Sequence, residues 1–101
     1  MDENLQDIII SAENLGFVVY PREYDHETII SFKAPVGKIH VEYYRYNMLD
    51  GVNSKTEVDI RWAEGGVQSL EQLKQFSVFL AKAGSIMKQL DEICKCKPGG
   101  E

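Results

Sequence analysis

Few of the residues able to do chemistry stand together. The chain has two histidines, His26 and His40, and histidine is the side chain whose ordinary pKa suits proton transfer near neutral pH. His26 lies in Asp25-His26-Glu27, three titratable groups that offer a metal site or a proton relay on paper, but adjacent residues rarely converge on one point. His40 alternates with Lys38 and Glu42, the spacing of a polar strand face. Cys94-Lys95-Cys96 brings two thiols, whereas a structural zinc needs four tetrahedral ligands, and no second Cys or His pair lies near. Cys94 falls on an apolar column and reads as core, while Cys96 reads as an exposed thiol activated by Lys95 and Lys97. The loop Glu64-Gly65-Gly66-Val67-Gln68-Ser69 runs into a helix start as phosphate-cradling loops do, yet it contains no base and Glu64 repels an anion. No G-x-S-x-G or Ser/His/Asp arrangement occurs. The inventory nominates no nucleophile, no metal set and no cofactor, and leans away from an enzyme.

The aromatic set is richer. Tyr20, Tyr24, Tyr43, Tyr44, Tyr46 and Trp62 are interleaved with Arg22, Arg45 and Arg61, the residue types enriched at binding hot spots. Alternation forces at least one of Tyr43 and Tyr44 out of the core. Tyr44, Arg45 and Tyr46, with Arg61 and Tyr24, are therefore the candidate partner-binding residues; the competing reading makes them cross-strand pairs that stabilise a sheet. Stacking of single-stranded bases is a third use for such rings. The overall charge argues against it.

The elements that must position these residues follow from periodicity. Leu5, Ile8, Ile9, Ala12 and Leu15 form one helical stripe over residues 3–15, with Asp2 placed to cap the start and Gly16 the end. Its opposite side carries Glu3, Asp7 and Glu13, an acidic face without a base. From Phe17 onward the period is two: Phe17 to Tyr20, Thr28 to Ala34, Lys38 to Leu49 and Thr56 to Ala63 read as strands. Ile39, Val41 and Tyr43 share a side, as do Val58, Ile60 and Trp62. After Tyr43 the phase is lost, which predicts a β-bulge near Tyr43-Tyr44. Asp50-Gly51 with Asn53-Ser54 predicts a loop.

Ser69 and Gln72 form a capping-box signature for a long helix over 70–95. Its columns Leu73/Leu80/Met87/Cys94, Phe76/Ala83/Leu90 and Phe79/Ile86/Ile93 make a wide apolar face running through Gly84. At 1.5 Å per residue it spans about 39 Å, against about 23 Å for a seven-residue strand. That mismatch predicts an overhang and self-association, as a homodimer, through Phe79, Ile86, Met87, Leu90 and Ile93. The expected architecture is α+β: an N-terminal helix, a four-stranded antiparallel meander and a long C-terminal helix, with both helices on one face. Residues 1–96 make one domain and 97–101 a disordered tail.

Composition narrows the function classes. In 101 residues, 16 acids against 11 bases give a net charge of −5, and 44% of residues are hydrophobic. That suits one globular domain and disfavours a module that neutralises many phosphates. Four acids and no base precede Gly16. No stretch is long enough for a membrane span or a signal h-region, and CxC thiols suit a reducing compartment, so the cytoplasm is expected. The leading expectation is a non-catalytic protein-binding module, an acidic inhibitor or accessory protein of the immunity or phage type acting on a basic partner such as a nuclease. The alternative is a small-ligand domain or enzyme with a cavity between sheet and long helix, lined by Phe32, Tyr43, Trp62 and Phe79.

Overall fold

The computed structural model describes residues 2–48, 51–61 and 66–95, with only the backbone at 47–48, 51–53, 58, 60–61 and 94–95. Trp62, Cys96, Glu64-Gly65 and the tail 97–101 lie outside the described residues.

Helix α1 (Glu3–Asn14) starts and stops where its sequence directs. The Asp2 carboxylate accepts the Asn4 N–H at 2.7 Å, satisfying a donor that has no partner within the helix. At the other end Gly16 takes φ 103°. Its N–H donates to the Glu13 carbonyl, and that of Phe17 to the Ala12 carbonyl, both at 3.0 Å, the two bonds of a Schellman motif.

Four strands follow: β1 (Val18–Glu23), β2 (Glu27–Lys33), β3 (Lys38–Met48) and β4 (Gly51–Arg61). They form one antiparallel sheet in the order β1-β2-β3-β4. The register sets Val19 against Phe32, Phe32 against Val41, Ile30 against Tyr43 and Ile39 against Ile60. Period-two alternation then commits all of these positions to one face. Ile30, Phe32, Ile39, Val41 and Tyr43 are buried there. β1 continues through Pro21, which an edge strand tolerates because the missing N–H need not join a ladder.

Two expectations fail in β3 and β4. There is no bulge: Tyr43, Tyr44 and Arg45 pair in unbroken succession with Ile30, Ile29 and Thr28 on one side and with Thr56, Lys55 and Ser54 on the other. The phase changes in side-chain chemistry, not in the backbone. Arg45 occupies a core-side position and is neutralised by Asp2, its Nη1 3.1 Å from Oδ2. Nor do Gly51, Asn53 and Ser54 form a loop, since they belong to β4 opposite Met48, Tyr46 and Arg45.

Helix α2 (Leu70–Lys95) is continuous through Gly84. The Ser69 hydroxyl accepts the Gln72 N–H at 3.1 Å, while Gln72 Oε1 accepts from the Gln68 N–H at 2.7 Å. The capping box therefore forms with its return arm one residue early. Phe76, Ala83, Ile86 and Leu90 join Leu5, Ile8, Ala12 and Phe17 in a single core with the sheet, so both helices cover the same face. Lys82 Nζ donates to the Leu15 carbonyl at 2.9 Å, supplying from α2 the cation that the C-terminus of α1 lacks in its own sequence.

This packing draws the residues expected to self-associate onto the chain's own core. Ile86 and Leu90 are 0% exposed, and Phe79, Met87 and Ile93 pack partly buried on the same core. The mismatch in length is small because β3 and β4 are 11 residues each, roughly 36 Å at 3.3 Å per residue. The apolar surface left exposed on α2 includes its beginning, where Leu70 is 66% exposed and Leu73 45%.

Two glycines should respond in opposite directions. A Cβ on Gly16 would lie 3.3 Å from Phe79 Cζ in a left-handed backbone, so Gly16→Ala is expected to cost about 1–2 kcal/mol. Gly84 has nothing within 4 Å of its Cβ position, and Gly84→Ala should gain up to about 1 kcal/mol. Urea denaturation of both variants checks the pair of signs.

Candidate functional site

With both helices on one face, the sheet's other face is open. Alternation places Val18, Tyr20 and Arg22 of β1 on it, with Ile29, Ser31 and Lys33 of β2, His40, Glu42, Tyr44 and Tyr46 of β3, and Lys55, Glu57 and Asp59 of β4. Direct cross-strand neighbours include Tyr20 with Ser31, Ser31 with Glu42, and Glu42 with Glu57.

Glu42 is the hub. Its Oε1 accepts the Tyr44 hydroxyl at 2.6 Å, and its Oε2 accepts the Ser31 hydroxyl and lies 3.2 Å from His40 Nε2. Arg22 Nη2 donates to Ser31 Oγ at 2.6 Å and stands 3.5 Å from Glu42 Oε2. Ser31, only 3% exposed, therefore relays an arginine to a carboxylate across three strands. Around this hub Lys55 lies over the Tyr44 ring at 5.3 Å and Lys33 over the Tyr20 ring at 5.2 Å. A half-exposed ion pair such as Arg22–Glu42 adds little stability alone. Its effect is geometric: five side chains share one set of hydrogen bonds and hold one another in place.

The electrostatics follow the geometry. Burial pushes the Glu42 carboxyl up, but hydrogen bonds from Ser31 and Tyr44 and the nearby His40 outweigh it, leaving Glu42 below the usual carboxylate range. The hydrogen bond to Glu42, with burial and the Glu42 charge, pushes the Tyr44 phenol up to about 12. On the helix side, the Arg45 hydrogen bond holds Asp2 low against a smaller opposing effect of burial.

The structure disperses the residues that alternation and composition nominated for partner binding. Tyr44 and Tyr46 share the open face, but Arg45 turns to the helix side and Tyr24 stands exposed at the β1–β2 turn. Arg61 takes the register position opposite Lys38 at the other end of the sheet. His40 joins the Glu42 hub, while Asp25 and His26 are exposed in the β1–β2 turn. Phe32 and Tyr43, named for a ligand cavity, are fully buried core, and Phe79 packs edge-on against Phe17 with centroids 5.6 Å apart. Arg22, Ser31 and Lys33 were not singled out by motif. Only the register, which sets Ser31 between Tyr20 and Glu42, brings them together.

Glu3, Asp7 and Glu13 are exposed on α1, and Ile10 among them is 56% exposed. Among the described residues no helix is long and apolar enough to cross a membrane. Comparison with protein-family models, curated proteins and solved structures finds no match.

The pH response has a definite sign. Carboxyls depressed below their ordinary 3.8 (Asp2) and 4.5 (Glu42) contribute stability that is present above those values and lost as pH falls through the folded ones. Tyr44 acts at the other extreme, where the unfolded chain ionises near 10.0 and the folded one near 12, so stability falls as pH rises across that interval. Urea midpoints taken from pH 2 to 12 should show both limbs. Asp2→Asn should flatten the acid limb and Tyr44→Phe the alkaline one; unchanged limbs contradict the assignments.

Proposed function

We propose that this chain is a non-catalytic protein-binding module that docks its partner on the helix-free face of the sheet. The observation that carries the reading is the Glu42 hub, which holds Arg22, His40 and Tyr44 in fixed positions on a surface no helix covers. Side chains ordered before binding lose less rotamer entropy on docking, roughly 0.5–1.5 kcal/mol for each long one. Arg and Tyr are also the types that dominate interface energetics. The hub's chemistry suits positioning better than turnover: Ser31 and His40 both bond Glu42, an arrangement that spends the carboxylate on holding rather than on activating a nucleophile.

A narrower form of the reading makes the chain an acidic inhibitor or accessory protein acting on a basic partner such as a nuclease. Its support is the outer face of α1, where Glu3, Asp7 and Glu13 surround the exposed Ile10 with no base. Such a face speeds encounter with a positive surface. Self-association, in this reading, falls to Leu70 and Leu73 at the exposed start of α2 and not to the later columns of that helix.

The test begins with capture of the binding partner from the native host and continues with calorimetry on the purified pair. Arg22→Ala with Tyr44→Ala should weaken binding at least tenfold, about 1.4 kcal/mol, with the fold retained by circular dichroism. For the basic-partner form, Glu3→Lys with Asp7→Lys should slow association and reduce its salt dependence. Unchanged affinity in the first variant contradicts the open-face reading, and unchanged kinetics in the second contradict the charge reading alone.

A further inference from the structure

The open face is not uniform, and one corner carries positive charge on a chain whose net charge is −5. There, at the β2–β3 turn, Lys33, Ala34, Gly37, Lys38, Ile39, His40 and Asp59 line a concavity of about 330 Å³. A second hollow of about 250 Å³, lined by Tyr20, Arg22, Ser31 and Lys33, adjoins it through Lys33. Other charges on the face are paired: Arg22 is committed to Ser31 and Glu42 in the hub, and Lys55 separately to Glu57 at 3.3 Å. The two corner lysines differ. Among the described residues the Lys38 side chain has no ion pair or hydrogen bond, and that of Lys33 has none beyond its place over the Tyr20 ring.

We propose that this corner receives an acidic peptide segment of the docked partner, with a carboxylate seated between Lys33 and Lys38. The proposal rests on the open-face reading and names the group that face recognises. Lys33 lies opposite His40, and Lys38 two residues before His40 on the same face. In an antiparallel pair such diagonal positions are about 7–8 Å apart, a separation two flexible ammonium groups can close around one carboxylate. Lys33 Nζ rests 5.2 Å from the Tyr20 ring centroid on the β1 side, beside the second hollow, and a rotamer change of its flexible stem brings it toward Lys38 when the carboxylate arrives. Asp59 on the wall and Glu42 behind His40 disfavour a polyanion with a charge on every unit, such as a nucleic-acid strand. They suit a peptide whose acids are spaced by uncharged residues, because a strand then presents alternate side chains to one face.

The probe is the capped peptide Glu-Gly-Glu-Gly-Glu, titrated into the isotopically labelled full chain and followed by backbone amide shifts. Saturable shifts are expected at Lys33, Gly37, Lys38, Ile39 and His40, with none for the Gln-Gly-Gln-Gly-Gln analogue. Lys33→Gln with Lys38→Gln, both exposed and away from the core, should weaken binding at least tenfold while leaving the remaining spectrum in place. Absence of shifts at these residues, or equal binding by the double variant, overturns the proposal. So does inorganic phosphate that saturates the same residues at lower concentration than the peptide. The corner variants leave Arg22 and Tyr44 intact, so partner binding that survives them yet fails in Arg22→Ala/Tyr44→Ala contradicts this inference and leaves the open-face reading standing.

Discussion

Everything in this molecule depends on β3 pairing without interruption along both of its edges. Continuous pairing to β2 and β4 fixes the parity of each residue. Odd positions Ile39, Val41 and Tyr43 face the helices, and even positions His40, Glu42 and Tyr44 face away. A single inserted residue at Tyr43-Tyr44 would have reversed everything beyond it, placing Tyr44 in the core and Arg45 in the open. The helix-side core and the Glu42 hub are therefore two faces of one constraint. β3 holds the inner layer together by burial and the outer layer by hydrogen bonds.

Charge is arranged to serve that layering. Asp2 both caps α1 and neutralises Arg45, tying the start of the first helix to the far half of β3. Lys82 performs the complementary task at the other end of α1, bonding the Leu15 carbonyl and lying over the Phe79 ring at 4.4 Å. With both ends of α1 fixed by residues distant in sequence, its acids Glu3, Asp7 and Glu13 are left facing solvent. The net charge of −5 is thus distributed unevenly: acids dominate the outer side of α1, and at a corner of the opposite face two lysines have no carboxylate partner among the described residues.

The fold was legible because its signals are local. The stripe Leu5/Ile8/Ala12, the Asp2 and Gly16 caps, the Ser69–Gln72 box and the alternation in β2 and β3 are each set by spacing within a few residues, and the element order follows from them. Strand length was not legible in the same way. Asn53 and Ser54 look like a loop until β3 supplies their ladder partners Tyr46 and Arg45. The site was visible only in part. Tyr44 and Tyr46 announce themselves by type, whereas Ser31 and Arg22 acquire a role only through neighbours 11 and 20 positions away at Glu42. Composition could not foresee that Arg45 would serve the helix cap, since an arginine between two tyrosines has the profile of a hot spot.

The outer layer of the sheet rests on an ionised Glu42 that receives Ser31, Tyr44 and His40 at once. The most direct measurement is the titration of its side-chain carboxyl carbon by NMR, with specific assignment through Glu42→Gln. A carboxyl titrating below the usual glutamate range, and moving upward in Tyr44→Phe, is the result this structure predicts. A Glu42 that titrates at or above the ordinary value, and is indifferent to Tyr44, would contradict the hub and with it the ordered open face.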